Sequence, residues 1–289
     1  MNFLQVAILR WYNANLTARF AVGPFPFGLA FDGANIWVAN NSGNNVSKLR
    51  ACDGANLGAF AVGTFPEGVA FDGASIWVTN FGSNNVSKLR ASDGTALGIF
   101  AVGTGPEGIA FDGANIWVAN AGSNNVTKLR ASDGVNLGTF AVGSQPRSVA
   151  FDGRHVWVTN RLTNNATRLR ASDGANLGTF AVGAFPLGLA FDGANIWVTN
   201  ANSDDVTKLR ASDGAKLGAF PVGNGPRAVA FDGANMWIAN TTSNNVTKLR
   251  ASDGVNLGTF SVGSAPENVA FDGSNIWVSN SVSNTVSKL

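Results

Sequence analysis

Short apolar runs alternate with small or polar residues along this chain, and the pattern returns every forty residues without a break in register. Within the stretch from Ala61 to Phe100, Glu67 to Phe71 (EGVAF) reads as a strand. It places Val69 and Phe71 on one face and Gly68 and Ala70 on the other. Asp72-Gly73 predicts a tight hairpin turn, because both residues tolerate the positive φ angles such turns need. Ile76 to Thr79 is the second predicted strand, Val86 to Arg90 the third and Leu97 to Val102 the fourth. Asn80 to Asn85 and Ser92-Asp93-Gly94 supply the intervening turns. The first two strands are apolar on both faces, which suits a sheet sandwiched between two others. No helix is predicted.

The phrase FDGANIWVAN at Phe31 recurs, slightly varied, at Phe71, Phe111, Phe151, Phe191, Phe231 and Phe271. A unit this small cannot bury its own apolar faces and must stack on its neighbours. The predicted fold is therefore all-β, a seven-bladed β-propeller with four antiparallel strands per blade and a 40-residue repeat. Residues 1–289 read as a single domain, with repeats starting near 21, 61, 101, 141, 181, 221 and 261. The chain begins and ends partway through a unit, since Val6 to Phe20 aligns with Val46 to Phe60 and the last copy stops at Leu289. From Arg10 to Leu289 is 280 residues, seven full periods. Residues 10–20 are thus expected to complete the last blade, with a strand near Asn15 to Val22 closing the ring. Residues 1–9 duplicate a strand that the C-terminus already supplies.

Charged residues make up 13% of the chain, about half the usual share. That deficit fits buried sheets joined by neutral turns. The net charge is only +2, and the basic residues are spread through the repeats instead of gathered on one face, so no nucleic-acid partner is expected. The third-strand cations, Lys48, Arg50 and their equivalents, read as a solvated outer face. One cysteine, Cys52, excludes an internal disulfide and a cysteine-based metal site. No apolar run approaches the ~20 residues of a helical membrane span, so no membrane insertion is expected, and the N-terminal segment lacks the basic start and small-residue cleavage site of a signal peptide.

The strings VGTFPEGVAFDGASIWVTN and SNNVSKLR resemble the YVTN family of β-propeller repeats, with Trp in place of the first Tyr. The resemblance covers essentially the whole chain; the FDG turn is shorter than the family's Ser/Pro-Asp-Gly. It implies the propeller fold and an extracytoplasmic location, periplasmic or secreted. It implies no single activity, because such propellers include surface-layer, periplasmic, DNA-binding and substrate-binding proteins. The virginiamycin B (streptogramin) lyases resemble this lineage and have seven blades. They use histidine and glutamate with a magnesium ion to open an ester-linked ring by elimination.

Against that chemistry, the chain offers one histidine, His155, in a hairpin turn expected to be exposed at the end opposite the blade-to-blade loops. The repeated aspartates (Asp32, Asp72 and equivalents) stand singly beside Gly, so turn chemistry accounts for them and no calcium loop is predicted. Asp204-Asp205 is the only local carboxylate pair. No G-x-G-x-x-G followed by a helix is present. The repeating Trp reads as core filling.

Variation between repeats gathers in two segments at the same end of the strands, the blade-to-blade loop and the residues after the WVxN phrase. The residues that follow each loop proline, Phe27, Glu67, Glu107, Arg147, Leu187, Arg227 and Glu267, are expected to ring the channel mouth. Phe25, Phe65, Phe81, Arg161 and Phe185 join them as candidate ligand contacts. Phe25, Phe27, Phe65 and Phe81 are expected to form one apolar patch flanked by Glu67 and Glu107, with Arg147, Arg161 and Arg227 making the other side basic. The chain thus reads as a monomeric, non-enzymatic binding scaffold for a small molecule or peptide at the mouth, with no catalytic residue, metal or cofactor predicted. The alternatives are a streptogramin B lyase-like enzyme and a purely structural or engineered repeat module.

Overall fold

The computed structural model describes residues 18–289, and these form seven four-stranded antiparallel sheets arranged as the blades of a propeller. In the first blade β2 (Pro26–Phe31) is innermost, followed outward by β3 (Asn35–Asn40), β4 (Asn45–Arg50) and β5 (Asn56–Ala61). The other blades repeat this at the forty-residue period. Strands start about one residue before the positions read from the sequence, and the only helical element among the described residues is a single 3-10 turn at Asn41–Gly43.

The last blade is completed across the chain ends. Strand β1 (Ala18–Ala21) pairs antiparallel with Thr285–Lys288, running from Ala18 opposite Lys288 to Ala21 opposite Thr285. This is the expected closing strand, shorter than Asn15 to Val22; the remainder of the expected segment, and residues 1–9, lie outside the described residues. Innermost strands pack tightly against one another around the ring. A Cβ on Gly28 would stand 2.2 Å from the Glu67 carbonyl oxygen, and one on Gly68 would stand 2.4 Å from that of Glu107. Glycine at these positions is a condition of the close approach.

The core lies between blades. Trp37, Ala39 and Val46 of the first blade pack on Ile76, Val78 and Leu89 of the second, and equivalent clusters fill the other seams. Trp37 is fully buried, and its Nε1 donates to Asp32 Oδ2 at 2.8 Å. Asp32 Oδ1 meanwhile accepts from the Ala34 and Asn35 backbone N–H groups. The aspartate therefore does more than shape the turn: it supplies the acceptor for a buried indole. Burial works to raise the Asp32 carboxyl, but the hydrogen bonds from Trp37, Asn35 and the backbone outweigh it and hold it below the ordinary range. Asp112, Asp152, Asp192, Asp232 and Asp272 are held down in the same way.

The third-strand lysines correct the expectation of a solvated face. Lys48 is only 6% exposed; its Nζ lies 5.0 Å from the Trp37 ring and donates to the Ala91 and Ser92 carbonyls of the next blade at 2.7 and 3.0 Å. Lys88, Lys128 and Lys208 do the same, Arg168 replaces lysine in the fourth blade, and Lys288 reaches Ala51 and Cys52 across the ring seam. A lysine buries its stem readily, and here the ammonium gains a ring face and two carbonyls in place of water. Arg50 matches the expectation: it is exposed and pairs with Asp53 at 3.4 Å.

Removing residues 1–22 deletes β1 and leaves two open sheet edges. The expected outcome is a lower melting temperature with aggregation by size-exclusion chromatography; an unchanged, monomeric protein would show that β1 does not close the ring. Asp112→Ala leaves the Trp117 indole N–H without its acceptor and is expected to cost about 1–3 kcal/mol in urea denaturation. Because these aspartates have folded pKa values below their unfolded ones, their contribution is present above about pH 4 and is lost as pH falls further.

Candidate binding site at the axial cavity

Loop geometry at the mouth is set by the backbone. The residue before each loop proline sits in the left-handed region, with φ of 56° at Phe25, 51° at Phe65, 51° at Gln145, 60° at Phe185 and 52° at Ala265. A residue before proline ordinarily prefers extended backbone, and only Gly105 and Gly225 adopt the left-handed form without a side-chain penalty. Two hydrogen bonds hold it there. The Phe65 N–H donates to Asn44 Oδ1 of the preceding blade at 3.0 Å, and its carbonyl accepts from the Phe81 N–H at 2.9 Å. Asn44 is itself left-handed, φ 51°. The same asparagine bond recurs at every seam, with Asp204 in one copy and Asn284 closing the ring onto Phe25.

This clamp fixes where the following side chains point. Phe27, Glu67, Glu107, Arg147, Leu187, Arg227 and Glu267 all line one axial cavity of about 150 Å³ at the mouth end of the innermost strands. The charges do not divide into an acidic and a basic side as the sequence suggested. Arg147 Nη1 bonds Glu107 Oε2 and lies 3.2 Å from Glu67 Oε2, while Arg227 Nε lies 2.5 Å from Glu267 Oε2. Phe27 faces both cations, with its ring centre 4.9 Å from the Arg227 guanidinium and 6.0 Å from that of Arg147. Leu187, Glu107 and Glu267 are buried.

Burial is the largest influence on Glu67. Together with the charges of Glu107 and Glu267 it prevails over the attraction of Arg147 and Arg227 and pushes the carboxyl up to about 7. Burial likewise raises Glu267, against Arg227 and a hydrogen bond from Ser281. Burial lowers Arg227, reinforced by the charge of Arg147. In Arg147 burial is outweighed by Glu107 and Glu67, and the guanidinium is held more firmly charged.

The remaining candidates lie outside this cavity. Phe25 stacks on Phe27 with ring centres 5.7 Å apart. Phe81, Gly105, Ala121, Gln145 and Arg161 line a second groove that meets the axial cavity at Glu107, and Phe65 lies beside Gly82 at its border. Arg161 donates to Gln145 Oε1 and lies over the Phe185 ring at 5.1 Å. Phe25, Phe65 and Phe81 are exposed at 39%, 52% and 39%, and of the aromatic candidates Phe27 alone lines the axial cavity.

His155 departs from the expected exposed turn. It opens the second strand of the fourth blade, is half-buried, and places Nδ1 3.1 Å from Asp152 Oδ2. There it takes the place of Asn35, Asn115 and Asn195, whose amides bind the equivalent aspartates. Asp204 and Asp205 likewise substitute for asparagine, accepting from the Gly225 N–H and from Asn200 Nδ2. Sequence reasoning missed the asparagine clamp, although the Asn-Asn doublet that signals it recurs in most repeats.

No protein-family profile and no curated protein sequence matches the chain. Solved structures do. A hydrazine synthase from Kuenenia stuttgartiensis aligns with a TM-score of 0.83 at 20% identity, covering 92% of this chain and 95% of that one. A streptogramin B lyase aligns at 0.81 and 18%, covering 94% of this chain and 96% of that one. The virginiamycin B lyase from Staphylococcus aureus aligns at 0.81 and 18%, covering 94% and 98%. At these identities the likeness is one of fold: this chain is a seven-bladed β-propeller, the architecture it shares with these structures.

The raised Glu67 carboxyl gives a stability signature opposite in sign to that of the turn aspartates. Its protonated form favours the fold, so its contribution is fully present below about pH 4.5 and is lost as pH rises through about 7. Melting temperature is expected to fall from pH 5 to pH 8 in the wild type and to fall less in Glu67→Gln. Parallel profiles for the two proteins would show that Glu67 is an ordinary surface carboxylate.

Proposed function

We propose that this propeller is a binding scaffold whose ligand sits in the axial cavity at the blade-to-blade loop end. One observation carries this. The seven post-proline side chains converge on a single cavity, and they differ between repeats while the Trp, Asp and Lys that build the ring hardly change. A rigid frame bearing varied loop-end side chains is the usual arrangement for recognition. The cavity combines two apolar walls, Phe27 and Leu187, with paired charges, which suits a small amphipathic molecule or a peptide end.

A lyase-type reaction is the second reading, supported by the fold likeness to a streptogramin B lyase and by Glu67, a buried carboxyl poised near neutrality as a base must be. His155 lies at the far end of the strands from that cavity.

A ligand-observed NMR screen against the wild type, Phe27→Ala and Leu187→Ala is expected to give hits that weaken about tenfold or more in either variant. Hits that bind all three proteins equally would move the site elsewhere. Incubation with streptogramin B and magnesium is expected to give no ring opening; turnover abolished by Glu67→Gln would establish the enzyme.

A further inference from the structure

We infer that the axial cavity receives the cationic end of its ligand, a primary ammonium or guanidinium on a short apolar stem, between Glu67 and Glu267. This rests on the cavity being the binding site and adds the chemistry of what it holds. Three carboxylates, Glu67, Glu107 and Glu267, face two guanidiniums, Arg147 and Arg227, so the lining has one more acid than base. Both guanidiniums are already engaged, Arg147 by Glu67 and Glu107, and Arg227 by Glu267 and the face of Phe27. An anion entering here would have to displace a carboxylate from its partner.

The carboxylates are not equally satisfied. Glu267 is 6% exposed; its Oε1 accepts from Ser281 Oγ at 3.1 Å, and its Oε2 is ion-paired with Arg227, whose Nε lies 2.5 Å away. Glu67 and Glu107 share a single guanidinium atom, Arg147 Nη1, which bonds Glu107 and stands 3.2 Å from Glu67 Oε2. Glu67 is thus the least well served of the three carboxylates and can take a further cationic donor. Glu67 and Glu267 flank Phe27 in the order of the ring, so the stem of a cation between them would lie beside that aromatic side chain. The groups facing Glu67 are Glu107, Arg147, Arg227 and Glu267. Its carboxyl is only part-ionised near neutrality, and an added positive charge would draw off the proton; cation binding is therefore coupled to pH.

The full chain is titrated by NMR and calorimetry with butylguanidinium, butylammonium, butyrate and butanol at pH 5.5 and pH 8. Both cations are expected to bind at pH 8, to weaken about tenfold or more at pH 5.5, and to weaken at least several-fold in Glu67→Gln and in Glu267→Gln. Circular dichroism of each variant confirms its fold. A short peptide ending in arginine is compared with butylguanidinium: tighter binding by the peptide points to a polypeptide side chain and equal binding to a free small cation, and both uphold the inference. Butyrate or butanol that binds as well as the cations and is lost in Phe27→Ala would overturn the cationic assignment and leave the axial site standing. Cation binding indifferent to the Glu67, Glu267 and Phe27 substitutions would overturn both, and no cation binding at pH 8 would overturn the inference.

Discussion

Everything in this ring depends on how one buried tryptophan per blade is satisfied. A tryptophan buried in a β-sheet core brings a large apolar surface and one N–H that needs an acceptor. The turn aspartate five residues earlier supplies it within the blade, as Asp72 does for Trp77 at 2.7 Å. The third-strand lysine covers the ring from above and reaches carbonyls of the next blade, and a fourth-strand phenylalanine closes the side, with Trp77 and Phe100 centred 5.4 Å apart. One side-chain cluster thus fastens a hairpin, a sheet and a seam. Changing the aspartate, the lysine or the tryptophan disturbs all three levels together, which accounts for their uniformity among the repeats.

A second set of contacts leaves the mouth free to vary. The asparagine clamp acts on the backbone of the loop, through the N–H of the residue before proline, and so places few demands on side chains. Phenylalanine, glycine, glutamine and alanine all occupy that position. The residue after proline is presented to the axis with its backbone already fixed. Phenylalanine, glutamate, arginine and leucine therefore meet in one cavity at no cost to ring geometry, and the same frame would present other sets equally well.

The likeness to a hydrazine synthase and to streptogramin lyases fits this division. Structures that align with this ring at about 20% identity share its fold, and a fold of this kind does not by itself carry an activity. In this chain the post-proline side chains form a compact network of opposed charges against one aromatic ring, with a surplus carboxylate whose protonation is balanced near neutrality.

The number of blades, the order of their strands and the ring of seven post-proline residues around the axis are legible in the amino-acid sequence alone. Each of these follows from an unbroken period and from the alternation of faces along a strand, both of which are local. Strand β1 was legible for the same reason, because the N-terminal segment continues the period in which the C-terminus stops. Contacts between residues one period or more apart emerge only when the blades are assembled. Lys48 reads as a surface residue until the next blade places Ala91 and Ser92 above it, and Arg147 reads as a free cation until the ring sets Glu67 and Glu107, eighty and forty residues away, against it. Polarity along the chain shows which groups are charged. Only closure of the ring decides which charges face one another and lose their water.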